Sequence, residues 1–125
     1  MYATTVPAGW CLTKAEGAEL WVSDSYGDML LAVPSLLKPD PVAICTTEAA
    51  KGTSPGQVTR LADTSWGGRT AVTAHVPTGM SGSQVRCVLT AQGYVFTMGL
   101  HLPGTGTYEY TTAAMDYLTS HWTWN

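Results

Sequence analysis

The stretch SQVRCVLTAQGYVFTMGLH, residues 83–101, decides the fold, because it holds two apolar runs separated by a turn. Glycine in the last place of Ala91-Gln92-Gly93 is typical of a type I turn closed by a left-handed residue. Strand alternation gives the second run one apolar face, the expected core face: Phe96, Met98 and Leu100. Gly99 and His101 fall on the opposite face, where a pocket could open. The stretch therefore predicts a β-hairpin.

Similar short runs precede this hairpin and are divided by turns rich in glycine and proline. The predicted strands are Glu19–Ser23, Met29–Val33, Val42–Thr46, Gln57–Ala62, Arg69–Ala74, Ser83–Thr90 and Tyr94–His101. Many short strands at this spacing favour a β-barrel or a β-sandwich. A closing helix is predicted after a cap at Thr111 or Thr112, with one apolar face: Ala114, Met115, Leu118 and Trp122. We expect a mostly β chain with a short C-terminal helix.

Composition excludes several classes of protein. The chain has 125 residues and a formal net charge of −3, and its few lysines and arginines form no basic stripe. Nucleic-acid binding is therefore not indicated. No apolar run is long enough to span a membrane, and the N-terminus lacks the pattern of a signal peptide. The odd count of three cysteines, Cys11, Cys45 and Cys87, favours reduced, buried thiols in an intracellular protein.

The segment Gly79-Met80-Ser81-Gly82-Ser83 is the main chemical motif. Flanking glycines permit a tight turn that exposes the Ser81 hydroxyl and leaves backbone N–H groups free for a developing oxyanion. Taken alone, such a motif is more often an ordinary turn. A nucleophile elbow of the α/β-hydrolase type requires a helix after the serine, and the sequence predicts a strand there.

In combination, several motifs resemble the chymotrypsin-like proteases, above all the compact viral forms of the sobemovirus and picornavirus types. The pattern is Gly79-Met80-Ser81-Gly82, then a hairpin ending in Gly99-Leu100-His101, then Pro103-Gly104-Thr105-Gly106. Upstream, the apolar run after Asp28 resembles the segment that carries the catalytic aspartate. The resemblance implies an antiparallel β-barrel fold. Residues 1–40 would be a remnant of the N-terminal barrel, and residues 41–125 would form the C-terminal barrel.

The same resemblance implies roles for individual residues. Ser81 would be the nucleophile, and the N–H groups of Gly79 and Ser81 would form the oxyanion hole. Asp28 would orient the catalytic histidine. The pocket that receives a Glu or Gln side chain of the substrate would be lined by His101 beside Gly99, with Thr78 or His75 as neighbour. Residue by residue, simpler readings stand beside these: Asp28 suits a turn, and His75 suits a partly buried structural position.

The implied partner is a peptide or a viral polyprotein cleaved in the host cytoplasm, with no metal or other cofactor. The chain departs from the family in one respect, because no histidine precedes Asp28. The base must take and return a proton near neutral pH, which suits imidazole. A missing N-terminal segment could supply the catalytic histidine, or the chain is a pseudoprotease. A small α+β binding domain is the alternative from another class.

Overall fold

The computed structural model describes residues 2–16, 19–24, 29–35, 40–50, 58–76, 83–101 and 108–124. Their elements in chain order are β1 (Tyr2–Ala3), β2 (Trp10–Glu16), β3 (Glu19–Asp24), β4 (Met29–Ser35), α1 (Pro41–Ala49), β5 (Thr59–Trp66), β6 (Arg69–Val76), β7 (Ser83–Leu89), β8 (Val95–His101), α2 (Tyr108–Ser120) and β9 (Thr123–Trp124). Seven strands form one antiparallel sheet in the order β2-β3-β4-β8-β7-β6-β5, and β1 pairs with β9 in a second, two-stranded sheet. The described part of the chain is therefore mostly β, as the sequence predicts, with two helices where the sequence predicts one.

The large sheet carries a buried cluster on each face. One cluster joins the sheet to α2: Trp10, Leu20, Val22, Ala32, Trp66, Ala71, Val88, Phe96, Met98, Ala114, Met115, Leu118 and Trp122. The other joins it to α1: Ile44, Cys45, Ala49, Val72, Ala74, Val85, Cys87 and Val95. Because adjacent strand residues point to opposite faces, Val95 and Phe96 enter different clusters. We refer to these as the α1 face and the α2 face of the sheet.

The predicted hairpin is present. Gly93 has a φ of 88°, the left-handed geometry that glycine adopts without steric cost. Thr90 N donates to Tyr94 O over 2.9 Å, and Gly93 N donates to Thr90 O over 3.0 Å, closing the loop. The expectation of an uncovered face opposite Phe96 was wrong for the first half of β8. Val95 is fully buried on that face because α1 packs against it.

The β-barrel expected from the sequence is not present, because the described strands form an open sheet. The sheet stays open, with β2 and β5 as its two edge strands. Its apolar surfaces are buried under helices on both faces instead of inside a sheet curled on itself. Strand β4 pairs with β8 from Met29 opposite His101 to Ser35 opposite Val95. Residues from both predicted ranges, 1–40 and 41–125, thus contribute to one sheet.

The strand predicted at Val42–Thr46 was also wrong, because these residues lie in helix α1. Asp40 caps the helix, and its carboxylate accepts hydrogen bonds from Val42 N at 3.1 Å and Ala43 N at 3.2 Å. Pro41 follows at the first helical position, where its fixed φ suits a helix and its missing N–H costs nothing. The cap and the proline outweigh the weak strand propensity of the β-branched residues.

Helix α2 begins at Tyr108 and not at a cap on Thr111 or Thr112, so the predicted start was wrong. Its apolar face is confirmed, since Ala114, Met115 and Leu118 are buried. After the helix, Trp122 stacks on Tyr2 with ring centroids 4.1 Å apart. The pairing of β1 with β9 therefore holds both ends of the described chain against the α2-face core.

Candidate functional site

Four residues of the predicted protease site, Asp28, Thr78, Gly79 and Ser81, lie outside the described residues. His101 ends β8, and only its backbone is described. Gly99 and His75 are described in full. The structure therefore describes the strands that border these positions, and it describes Gly99 and His75 themselves.

The strand ends that border the predicted site lie at one end of the sheet. Met29, which follows Asp28 in the chain, is paired with His101. Val76 and Ser83, which flank the segment containing Ser81, are paired with each other. Strands β7 and β8 are adjacent, with Val85 opposite Gly99. The starts of β4 and β7 and the ends of β6 and β8 thus converge.

His75 and Gly99 lie on opposite faces of the sheet. His75 shares its face with Ala71 of the α2-face cluster, whereas Gly99 shares its face with the buried Val95 on the α1 face. His75 is partly buried in β6, where it pairs with Thr59 of β5 and Gln84 of β7. The structure does not bring His75 and Gly99 into one pocket.

His121 lies at the opposite end of the sheet from Val76 and Ser83. Gly67 N, in the turn between β5 and β6, donates to Thr119 O over 2.9 Å, which places the end of α2 beside that turn. The whole length of β6 separates that turn from Val76. The exposed His121 ring stacks on Tyr117 at 3.9 Å, and its Nδ1 lies 2.8 Å from Tyr117 O.

A buried arginine between β7 and α2 was missed by the sequence reasoning. Arg86 is only 4% exposed, and its guanidinium forms an ion pair with Asp116. It also donates to Gln84 Oε1 over 2.9 Å and to Thr119 Oγ1 over 3.1 Å. Gln84 and Arg86 alternate with apolar residues in β7, which ordinarily indicates a solvent-exposed face. The partners of Arg86 on α2 are some 30 residues away along the chain, so no local pattern could reveal them.

Part of the α1 face lies beyond the reach of α1, which packs mainly over β6 and β7. This part spans β3, β4 and β8. One row of paired residues runs from Trp21 in β3 through Leu31 in β4 to Gly99 in β8, and in the next row on the same face Val33 is paired with Thr97. Trp21, Val33 and Gly99 are each partly exposed. A Cβ added at Gly99 would meet no atom within 4 Å, so space is open beside it. We call Trp21, Val33 and Gly99 the open surface.

No family model, curated protein or solved structure matches this chain. Within the described ranges, no group of three or more His, Cys, Asp or Glu side chains is arranged to hold a metal ion. In the same part of the chain, neither helix is long and apolar enough to cross a membrane.

Proposed function

We propose that this chain is a non-catalytic α+β binding domain whose open surface accepts a peptide segment. The observation that carries the proposal is the open space beside Gly99, next to the partly exposed Trp21. Elsewhere on the same face, β6, β7 and the start of β8 are covered by α1. Among the described residues, the open surface is therefore the part of that face that no helix covers.

The chemistry of the open surface suits a peptide. An indole ring offers a large rigid contact area to an aliphatic or aromatic side chain. Glycine in a strand interior is typical of a position where another backbone approaches closely. Val33 adds an aliphatic contact in the neighbouring strand. The expected ligand is an extended segment that places an apolar side chain beside Gly99.

The positions of the histidines support a non-catalytic role. A serine nucleophile needs a base within hydrogen-bond reach. Of the three histidines in the sequence, His121 lies at the far end of the sheet, and the protease resemblance names His75 only as a neighbour in the substrate pocket. His101 is the residue that the protease resemblance assigns to substrate recognition and not to proton transfer. Without a base, little catalysis beyond the oxyanion hole and binding is expected.

The second candidate is a serine endopeptidase, or a part of one, that cleaves a viral polyprotein through an acyl-enzyme at Ser81. The convergence of the strand ends bordering Asp28, Ser81 and His101 favours it. In this reading a segment outside the chain supplies the histidine. Asp28 would orient that histidine, and Gly79 would donate to the oxyanion.

A fluorophosphonate probe tests whether Ser81 is a nucleophile in this chain, because the probe reacts covalently with an activated serine hydroxyl. We expect the isolated chain and its Ser81→Ala variant to label equally weakly. The readout is the mass of the intact protein after incubation with the probe. Strong labelling of the wild-type chain that the Ser81→Ala variant abolishes would overturn the non-catalytic proposal and favour the endopeptidase.

Peptide binding is tested by selecting a random-peptide phage library on the folded chain. We expect the selected peptides to bind the Gly99→Leu variant at least about tenfold more weakly, because the leucine fills the open space. Ala113→Leu adds the same side chain at an exposed position of α2, on the other side of the sheet, and is the matched control. Equal affinity for all three proteins, or no selected peptide, would contradict the proposed surface.

A further inference from the structure

Two cysteines meet in the core between α1 and the sheet. Cys45 is fully buried in α1, and its thiol lies within hydrogen-bond reach of two strand carbonyls, Val85 O at 3.2 Å and Val72 O at 3.4 Å. Val72 is the cross-strand partner of Cys87, and Val85 precedes Cys87 by two residues on the same face. The Cys45 sulfur therefore lies over the part of the sheet from which the Cys87 side chain projects.

Cys87 is fully buried in the same cluster. Its hydrogen bond with Cys45, followed by its burial, raises the pKa of the Cys87 thiol far above the ordinary value. Since the thiolate is the form that attacks a disulfide, the burial of both sulfurs and the raised pKa of Cys87 slow the reaction of this pair in the folded protein.

We propose that Cys45 and Cys87 are a disulfide site that is oxidised while the chain folds and is protected from oxidation once the reduced chain has folded. The oxidant is a small disulfide such as oxidised glutathione. A thiolate of the pair attacks it and releases one reduced glutathione, giving a mixed disulfide. The second cysteine attacks the mixed disulfide and releases the other. The two thiols lose two electrons and two protons in total, and oxidised glutathione is reduced to two thiols.

The order of events follows from the same geometry. Before α1 docks on β6 and β7, both thiols are in water and have the reactivity of ordinary cysteines. After docking, the reagent must wait for α1 to open locally, because both sulfurs lie beneath it. The bond would join α1 to the centre of the sheet and close a long loop, which stabilises chiefly by restricting the unfolded chain. Cys11, which is exposed and not buried as the sequence suggested, is outside this pair.

The experiment uses a full-length Cys11→Ser background, so that only the buried pair is counted. The unfolded, reduced chain is refolded in a buffer of oxidised and reduced glutathione, then denatured and alkylated with iodoacetamide. We expect that neither cysteine is alkylated. Peptide mapping should find the segment containing Cys45 joined by a disulfide to the segment containing Cys87. The oxidised protein should melt about 10 °C higher than the reduced one. The reduced protein, folded beforehand, should form the bond at least about tenfold more slowly in the same buffer.

Cys45→Ser and Cys87→Ser variants are the controls, since each removes one partner of the disulfide and keeps a side chain of nearly the same size. Their melting temperatures should be the same in the oxidising and the reducing buffer. Two alkylated cysteines after oxidative refolding would overturn the disulfide. Equal oxidation rates for the folded and the refolding protein would overturn the protection by α1.

Discussion

At the scale of the residue, Gly67 and Gly68 in the turn between β5 and β6 differ in what surrounds them. Both have positive φ, 58° and 83°. A Cβ at Gly67 would lie 2.7 Å from Trp124 Nε1 and 2.9 Å from Trp122 O, whereas a Cβ at Gly68 would meet nothing within 4 Å. Gly67 thus permits both the turn and the close approach of β9.

We therefore predict that Gly67→Ala lowers the free energy of unfolding by about 3 kcal/mol, through backbone strain and displacement of Trp124. Gly68→Ala bears the backbone strain alone and should cost about 1 kcal/mol. Urea unfolding followed by circular dichroism measures both. Equal losses would mean that β9 moves aside without cost.

At the scale of the element, the contact of α2 with β7 depends on a buried cation and a solvated anion. The Arg86 side chain is 4% exposed and that of Asp116 is 62% exposed. Removing Asp116 leaves a buried guanidinium whose remaining acceptors among the described residues, Gln84 and Thr119, are neutral. Removing Arg86 leaves a carboxylate that water can solvate. Removing Asp116 and removing Arg86 should therefore change the free energy of unfolding by different amounts.

We predict that Asp116→Ala costs about 2–3 kcal/mol and Arg86→Met about 1 kcal/mol, because an uncompensated buried charge is worse than an apolar replacement. The exposed pair Arg60 and Asp63, at 3.2 Å, offers a control, and Asp63→Ala should cost less than about 1 kcal/mol. Denaturant titrations of the three variants are the measurement. A larger loss in Arg86→Met than in Asp116→Ala would contradict the asymmetry.

At the scale of the whole molecule, the small sheet ties the two termini to the core. Tyr2 stacks on Trp122, and Trp122 packs edge-on against Trp66 with centroids 5.2 Å apart. Trp124 Nε1 donates to Trp66 O over 2.9 Å. The aromatic residues near the C-terminus thus close the α2-face core.

We predict that a chain ending at His121 loses most of its stability, about 5 kcal/mol or more. It lacks Trp122, the pairing of β9 with β1 and the hydrogen bond from Trp124 to Trp66. Thr123→Ala changes an exposed residue of the same strand and should leave the stability within about 0.5 kcal/mol of the wild type. Thermal unfolding and the dispersion of methyl NMR signals report the difference. A shortened chain that unfolds at the wild-type temperature would refute the role of this contact.

The features predicted correctly from the sequence depend on interactions between residues close together in the chain, and most of those missed depend on contacts between distant segments. The hairpin around Gly93 was predictable because alternation and turn chemistry act between near neighbours. Helix α1 was assigned wrongly although its signal, Asp40 followed by Pro41, was present, since the apolar and β-branched residues after it also suit a strand. The open sheet was not predictable, because the same alternating strands can close into a barrel or lie beneath helices.

By itself, the sequence determined the positions of six of the sheet strands, the turn at Gly93, the apolar face of α2 and the absence of a histidine before Asp28. Only the tertiary structure decided that helices cover both faces, that Arg86 is buried beside Asp116, and that Cys45 meets Cys87. The first group depends on backbone preferences and spacing within a few residues. The second depends on which distant segments pack together, and that is decided by the burial of the whole apolar surface at once.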